Sequence, residues 1–375
     1  MGSNVNGINE NDYFGYGVAL NADGSIMAVG AANNTSKYVK VLQFNNGSWT
    51  QLGQTIDAQS GWFLYSTFVN AIDISDDGLT VAFSQTGQSS VNGRGRGQVS
   101  IYRYSTSADA WVLMGDYINP VLESGSYNSS FGESIALSAD GNTITISDPY
   151  GNPSSSDLPY VVTYKYNGSN WVIKGNDNFA ASLLAFARGV GDVAISDGGD
   201  TVAIIENYKN DTRGRAYVIK FNDNTGGHDE IDNIEFPAGW QMSRSISLSG
   251  DGSVLAVGDD QADQNGQVKV FSIESGSYVE RDLFTGSFGG GWFGYQVRLS
   301  RDGNRVAVGS LSASGNVTND GKIEVFKYDG NSYIQLGQDI LGDKSGDQLS
   351  RATALSADGR TVAGGSIGGD NDQGT

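Results

Sequence analysis

Apolar and polar residues alternate along this chain in short runs, and Asp-Gly pairs punctuate the runs. From Phe131 small and apolar residues alternate up to Leu137, Ser-Ala-Asp-Gly turns the chain, and a β-branched run follows at Ile144-Thr145-Ile146. Asp tolerates the tight turn, and Gly supplies the positive φ that L-residues resist. Such a loop between alternating runs predicts a β-hairpin. The pattern occurs seven times, at Asp23-Gly24, Asp77-Gly78, Asp140-Gly141, Asp197-Gly198, Asp251-Gly252, Asp302-Gly303 and Asp358-Gly359. The spacings are 54, 63, 57, 54, 51 and 56 residues. A near-constant period of about 50 residues marks a repeat architecture, and four strands per unit mark a propeller.

Each copy supplies those strands. Phe14, Phe68, Phe131 and Phe293 stand nine residues before the Asp, with Arg188, Met242 and Leu349 in the other copies. A second run follows the turn, as at Val306-Ala307-Val308-Gly309. A third follows a polar loop, as at Val161-Val162-Thr163-Tyr164. A fourth opens on an aromatic residue: Trp49, Trp111, Trp171, Tyr278 or Tyr333, with Ile231 to Phe236 in the degenerate fourth copy. No helical period occurs. The reading is an all-β, seven-bladed β-propeller of four-stranded antiparallel blades over residues 13–375, preceded by an N-terminal arm at 1–12.

The seventh copy stops at Gly374-Thr375, where its third strand should begin. The seventh blade is therefore expected to be incomplete, with an exposed sheet edge that recruits other chains. The arm from Gly2 to Glu10 could clasp it with one short strand. Otherwise the sequence is cut from a longer chain, or a partner donates strands, or copies self-associate at residues 362–375.

Composition narrows the picture. The repeat runs through nearly all 375 residues, so one domain is expected. Gly 53 with Pro 5 fits a turn-dense β fold, because the glycines recur at fixed places. No run reaches the length of a membrane span, so no membrane insertion is expected. The net charge of −19 argues against nucleic acid as a partner. With no cysteine there is neither a disulfide scaffold nor a thiol nucleophile. Met1 to Asp12 has no apolar core and does not read as a signal peptide.

At Phe14-Gly15 with Gly30-Ala31-Ala32, Phe131-Gly132 with Ser147-Asp148-Pro149, and Phe293-Gly294 with Gly309-Ser310, the chain resembles the FG-GAP repeats of the integrin α-subunit propeller and related Cys-poor repeat proteins of bacteria, algae and viruses. The resemblance covers about residues 13–375. It implies recognition of a protein or glycan ligand, outside the cell or on a cell or virion surface. The calcium role of such repeats does not carry over, since Ser-Ala-Asp-Gly offers too few oxygens for a six- to eight-coordinate ion. No metal or other cofactor is expected there. Asp259-Asp260-Gln261-Ala262-Asp263 and Asp370-Asn371-Asp372 are either solvated loop charge or a cation site.

In a propeller the second-to-third and fourth-to-first loops share one face, opposite the Asp-Gly turns. Those loops are the longer and more varied ones, as binding loops on a rigid scaffold are. They carry Tyr13, Trp62, Tyr65, Tyr127, Trp240 and Trp292, which either stack on a sugar or protein ligand or plug gaps between blades. Arg94, Arg96, Arg213 and Arg215 lie on the same face, as carboxylate forks or as solvated loop charge. Catalysis has little support. His228 is the only histidine and sits at an irregular place. Asp73 and Asp192 fall on inner strands, where they line the channel or are satisfied by water. The expectation is a non-enzymatic recognition module. The rivals are a structural subunit of a surface or virion assembly completed by strand donation, and a glycosidase or lyase using channel carboxylates.

Overall fold

The computed structural model describes residues 4–9, 12–32, 37–57, 66–87, 97–120, 130–149, 159–175, 190–207, 214–222, 225–236, 245–262, 265–287, 291–313 and 320–368. The side chains of 32, 66–70, 87 and 207 are also outside that description. All regular structure among the described residues is β. Six four-stranded antiparallel sheets span residues 17–51, 66–113, 135–173, 190–235, 245–285 and 293–335, each in simple meander order. Ile56–Asp57 and Ile340–Leu341 add a fifth short strand to blades one and six.

The propeller of four-stranded blades is thus present, but the count of seven is corrected: among the described residues six blades are complete. Among the described residues the seventh repeat forms the two-stranded hairpin of Ala352–Leu355 with Val362–Gly365. The described part of the arm, residues 4–9, forms no strand. Val5 instead packs beside the cluster of Phe14, Met27, Val29 and Tyr38, and the Ile8 N–H donates to Tyr38 Oη at 2.8 Å.

Burial follows the alternation. The middle of the second strand is closed off completely, with Ala28, Ala82, Ala203, Ala256 and Ala307 all at 0% exposure. The fourth-strand tryptophans of blades two and three lock each of those blades to the one before it. Trp111 Nε1 donates to Leu52 O at 2.8 Å, and Trp171 Nε1 donates to Met114 O at 2.7 Å.

At the turn face the blades close into a circle. The residue after the turn serine (Asn21 in the first repeat) donates its N–H to the corresponding carbonyl of the next repeat, in the order Ala22, Asp76, Ala139, Asp197, Gly250, Arg301, Ala357 and back to Ala22, at 2.8–3.1 Å. All seven repeats take part. The circle also corrects the register of the fourth copy. Its turn is Ser196-Asp197-Gly198-Gly199, and the left-handed residue is Gly199 at φ 69°.

Candidate functional site: the loop-face mouth of the central channel

Innermost strands wall the channel, and their register decides which side chains reach it. Ala19, Asp73, Ala136, Ala194, Ser247, Arg298 and Ala354 pair with equivalent second-strand residues, so they occupy one level of the channel. Four copies put alanine there, while Asp73, Ser247 and Arg298 break the rule.

The polar members stitch neighbouring blades. Asp73 accepts the Leu137 N–H at 2.7 Å, and Ser247 accepts the Leu299 N–H at 2.9 Å. Nearer the mouth, Ser134 accepts the Val193 N–H at 3.2 Å, Asp192 the Ile246 N–H at 3.1 Å, and Ser245 the Val297 N–H at 2.7 Å. A side chain on one blade thereby satisfies a backbone donor on the next. The seventh hairpin carries Ala352 and Ala354 on this side, which have no oxygen to give.

Arg298 brings a cation into the channel wall. Its Nη1 donates to Val297 O at 2.8 Å and to Ser245 Oγ at 3.3 Å, and stands 3.9 Å from Asp192 Oδ2. Burial pushes the Asp73 carboxyl up to about 6, although the Leu137 and Ile74 N–H groups and Arg298 pull the other way. Burial also raises Asp192, against Arg298, the Ser134 hydroxyl and two backbone N–H groups. Charged forms are disfavoured wherever water is excluded.

Above this level the channel widens into a cavity of about 270 Å³ on the loop face, lined by Tyr16, Glu133, Ser134, Asp192, Tyr295, Gln296, Arg298, Arg351 and Thr353 among others. Tyr16, Glu133, Tyr295 and Arg351 hold one repeat position, two after Phe14, Phe131, Phe293 and Leu349. Each donates its backbone N–H to the carbonyl three residues earlier, at Tyr13, Ser130, Trp292 and Gln348. That tight turn puts Tyr13 (φ 51°), Trp292 (φ 58°) and Gln348 (φ 53°) in left-handed backbone. Bulges between Val190 and Val193 and between Phe293 and Gln296 bring Asp192 and Tyr295 to the mouth.

Arg351 is held between two tyrosines. Its Nη1 donates to Tyr295 Oη and its Nη2 to Tyr16 Oη, and its guanidinium lies 4.4 Å from the Tyr16 ring centroid. A guanidinium has five N–H donors, and two are taken among the described residues, which leaves three for a ligand. Trp292 is 39% exposed and stacks on Tyr295 at 6.3 Å.

Of the residues singled out in the sequence, Asp192 lines this cavity, Trp292 stacks on the lining residue Tyr295, and Tyr13 is exposed at the equivalent corner of blade one. Arg215 lies on the third strand of blade four, ion-paired to Glu235 at 2.8 Å. Trp62, Tyr65, Tyr127, Trp240, Arg94, Arg96 and Arg213 lie outside the described residues, as do Asp263 and 370–372. His228 sits on an outermost strand, opposite Phe221. Asp259 Oδ1 accepts the Gln261 N–H at 3.0 Å, and no group of three metal-ligating side chains forms among the described residues. Sequence reasoning missed Tyr16, Glu133, Tyr295, Arg298 and Arg351. Aligning the seven copies on the residue after Phe-Gly would have exposed four of these.

No protein-family model matches the chain, and no curated protein matches it. Solved structures do. The β-propeller domain of Cps50 (Swd1) from Myceliophteria thermophila is 12% identical, with TM-score 0.61, over 98% of this chain and 96% of that one. The periplasmic gluconolactonase of Pseudomonas aeruginosa is 15% identical, with TM-score 0.60, over 92% and 89%. The WD40 repeats of RRP9 are 12% identical, with TM-score 0.57, over 98% and 88%. At these identities the likeness is one of fold. It overturns the expectation of a non-enzyme, because an architecture shared with a gluconolactonase leaves an enzyme open.

Proposed function

We propose that the protein binds a small, anionic, hydroxyl-rich molecule of the sugar-acid class at the loop-face mouth of its channel. The observation that carries this reading is Arg351, clamped by Tyr16 and Tyr295 with donors to spare in a cavity of single-sugar size. A pre-oriented guanidinium takes a carboxylate or phosphate without ordering a flexible chain. Glu133, Ser134 and Gln296 supply polar groups for hydroxyls, and Trp292 supplies a stacking face. This reading keeps the face expected from the varied loops, and kinship with FG-GAP repeats belongs to the same proposal.

Titration calorimetry with D-glucuronate, D-gluconate and 6-phosphogluconate against D-glucose tests it. The acids should bind at least about tenfold more tightly than glucose, the scale of one charge-assisted bond. Equal binding of glucose, or no binding of any acid, would refute the proposal.

One observation favours a second reading in the same cavity, hydrolysis of a sugar lactone. Asp192, its carboxyl raised by burial, stands beside Arg298, which suits a general base next to a cation that stabilises an oxyanion. Gluconolactone consumption followed by pH-stat tests it, and a rate no faster than buffer alone excludes it.

A further inference from the structure

Around Arg351 one arrangement occurs twice on the loop face. Repeats six, seven and one follow one another in the closed ring, and each makes the same tight turn. In it the N–H of Tyr295, Arg351 or Tyr16 donates at 3.1 Å to the carbonyl of Trp292, Gln348 or Tyr13. One row therefore reads Tyr295, Arg351, Tyr16, and all three line the mouth cavity. The row three residues earlier reads Trp292, Gln348, Tyr13. Both rows place an aromatic residue on either side of a polar one.

Exposure separates the rows. Tyr295 is buried, whereas Tyr13 and Trp292 are 38% and 39% exposed. Among the described residues these two are the only exposed aromatic side chains, and the other large exposed apolar ones are aliphatic. Trp292, Gln348 and Tyr13 also hold left-handed backbone, at φ 58°, 53° and 51°. Bulky side chains resist that conformation, which persists at sites such as ligand clamps. Aromatic faces kept in water under strain are available to a flat, partly apolar ligand such as a sugar ring.

Charge limits what such a ligand carries. Arg351 asks for one anion, while a protein of net charge −19 repels further ones. The cavity has room for one sugar, and Trp292 and Tyr13 stand outside its lining. We propose that this site, on the sugar-acid reading above, takes a linear acidic oligosaccharide in which a uronate is flanked by neutral sugars. The uronate carboxylate sits on Arg351, and its two neighbours stack on Trp292 and Tyr13.

Titration calorimetry compares glucuronate with two trisaccharides of the same single charge, in which glucuronate is flanked by two N-acetylglucosamines or by two glucoses. At least one should bind about tenfold more tightly than glucuronate, the scale of two stacking contacts. Tyr13→Gly removes one face and suits φ 51°, so its Tm should not fall. It should cut the trisaccharide's advantage by about threefold and leave glucuronate binding within about twofold of wild type. If glucuronate binds and neither trisaccharide gains, or if the gain survives Tyr13→Gly, the extended site is refuted and the single-sugar site stands. If glucuronate and both trisaccharides fail to bind, the single-sugar site falls with it.

Discussion

The two ends of the central channel are built from the same innermost strands and differ in what the repeats do there. At the turn end the copies act alike. Ser138 Oγ donates to Asp140 at 2.7 Å and accepts the Thr143 N–H at 2.9 Å, and Ser249, Ser300 and Ser356 repeat the arrangement. The turn carboxylates are absorbed by their own turns. Hydrogen bonds from the Ser356 hydroxyl and the Arg360 N–H hold Asp358 below its ordinary value. At Asp140 burial pushes upward, but bonds from Asn142 and Ser138 outweigh it. Arg301 lies across this end, paired to Asp76 and, at 2.7 Å, to Asp197. At the loop end one repeat position holds Tyr16, Glu133, Tyr295 and Arg351 in different blades, and donors are left over. Repetition at one end fixes the ring; variation at the other is free to become a site.

The largest effect that sharpens this contrast is at the turn end. Gly199→Ala combines φ 69° with a Cβ only 2.7 Å from Thr143 Cβ in the neighbouring blade. It should cost about 4 kcal/mol in denaturant unfolding, from strain and overpacking together. Gly198→Ala, whose Cβ meets nothing closer than Asp200 Oδ1 at 3.4 Å, should cost under about 1 kcal/mol. Reversed magnitudes would restore the Asp197-Gly198 register.

Next in size is pH. Asp73 keeps its proton up to about 6 in the fold, against an ordinary 3.8. Between those values the unfolded chain binds fewer protons, so this contribution is full below pH 4 and is lost as pH rises through 6. It amounts to about 3 kcal/mol at most. The turn carboxylates work in the opposite sense, losing their contribution as pH falls below 4. In thermal melts from pH 4 to 7, Asp73→Asn should flatten the decline, and an unchanged slope would mean the channel carboxylate is not its source.

Smaller still is Ser350→Gly. Ser350 replaces the Phe-Gly glycine of other copies, yet sits at φ 82° with its hydroxyl buried and unpaired among the described residues. Glycine there should stabilise the protein by about 1 kcal/mol, read as a rise in Tm. Smallest is Arg301→Gln, worth under about 1 kcal/mol and shrinking with salt, because the paired groups are all more than a third exposed.

Much of this was legible in the residues. The Asp-Gly period gave the strand order, and the inner-strand positions of Asp73 and Asp192 gave their place at the channel. Two consecutive glycines after Asp197 hid the fourth turn by one residue, since either satisfies an Asp-x-Gly or Asp-Gly reading. Arg298 went unseen because it reads as an ordinary strand arginine until the level it shares with four alanines is known. Arg351 was hidden for another reason: its copy reads Leu-Ser-Arg rather than Phe-Gly, and its clamp comes from tyrosines hundreds of residues away in blade one and 56 away in blade six.

The most direct test of a loop end that binds and a turn end that closes is one titration run on two variants. Glucuronate is titrated into wild type, Arg351→Gln and Arg301→Gln, with Tm recorded for each. Arg351→Gln should abolish binding with little change in Tm, and Arg301→Gln should bind as wild type does. Loss of binding in Arg301→Gln, or its retention in Arg351→Gln, would contradict the account.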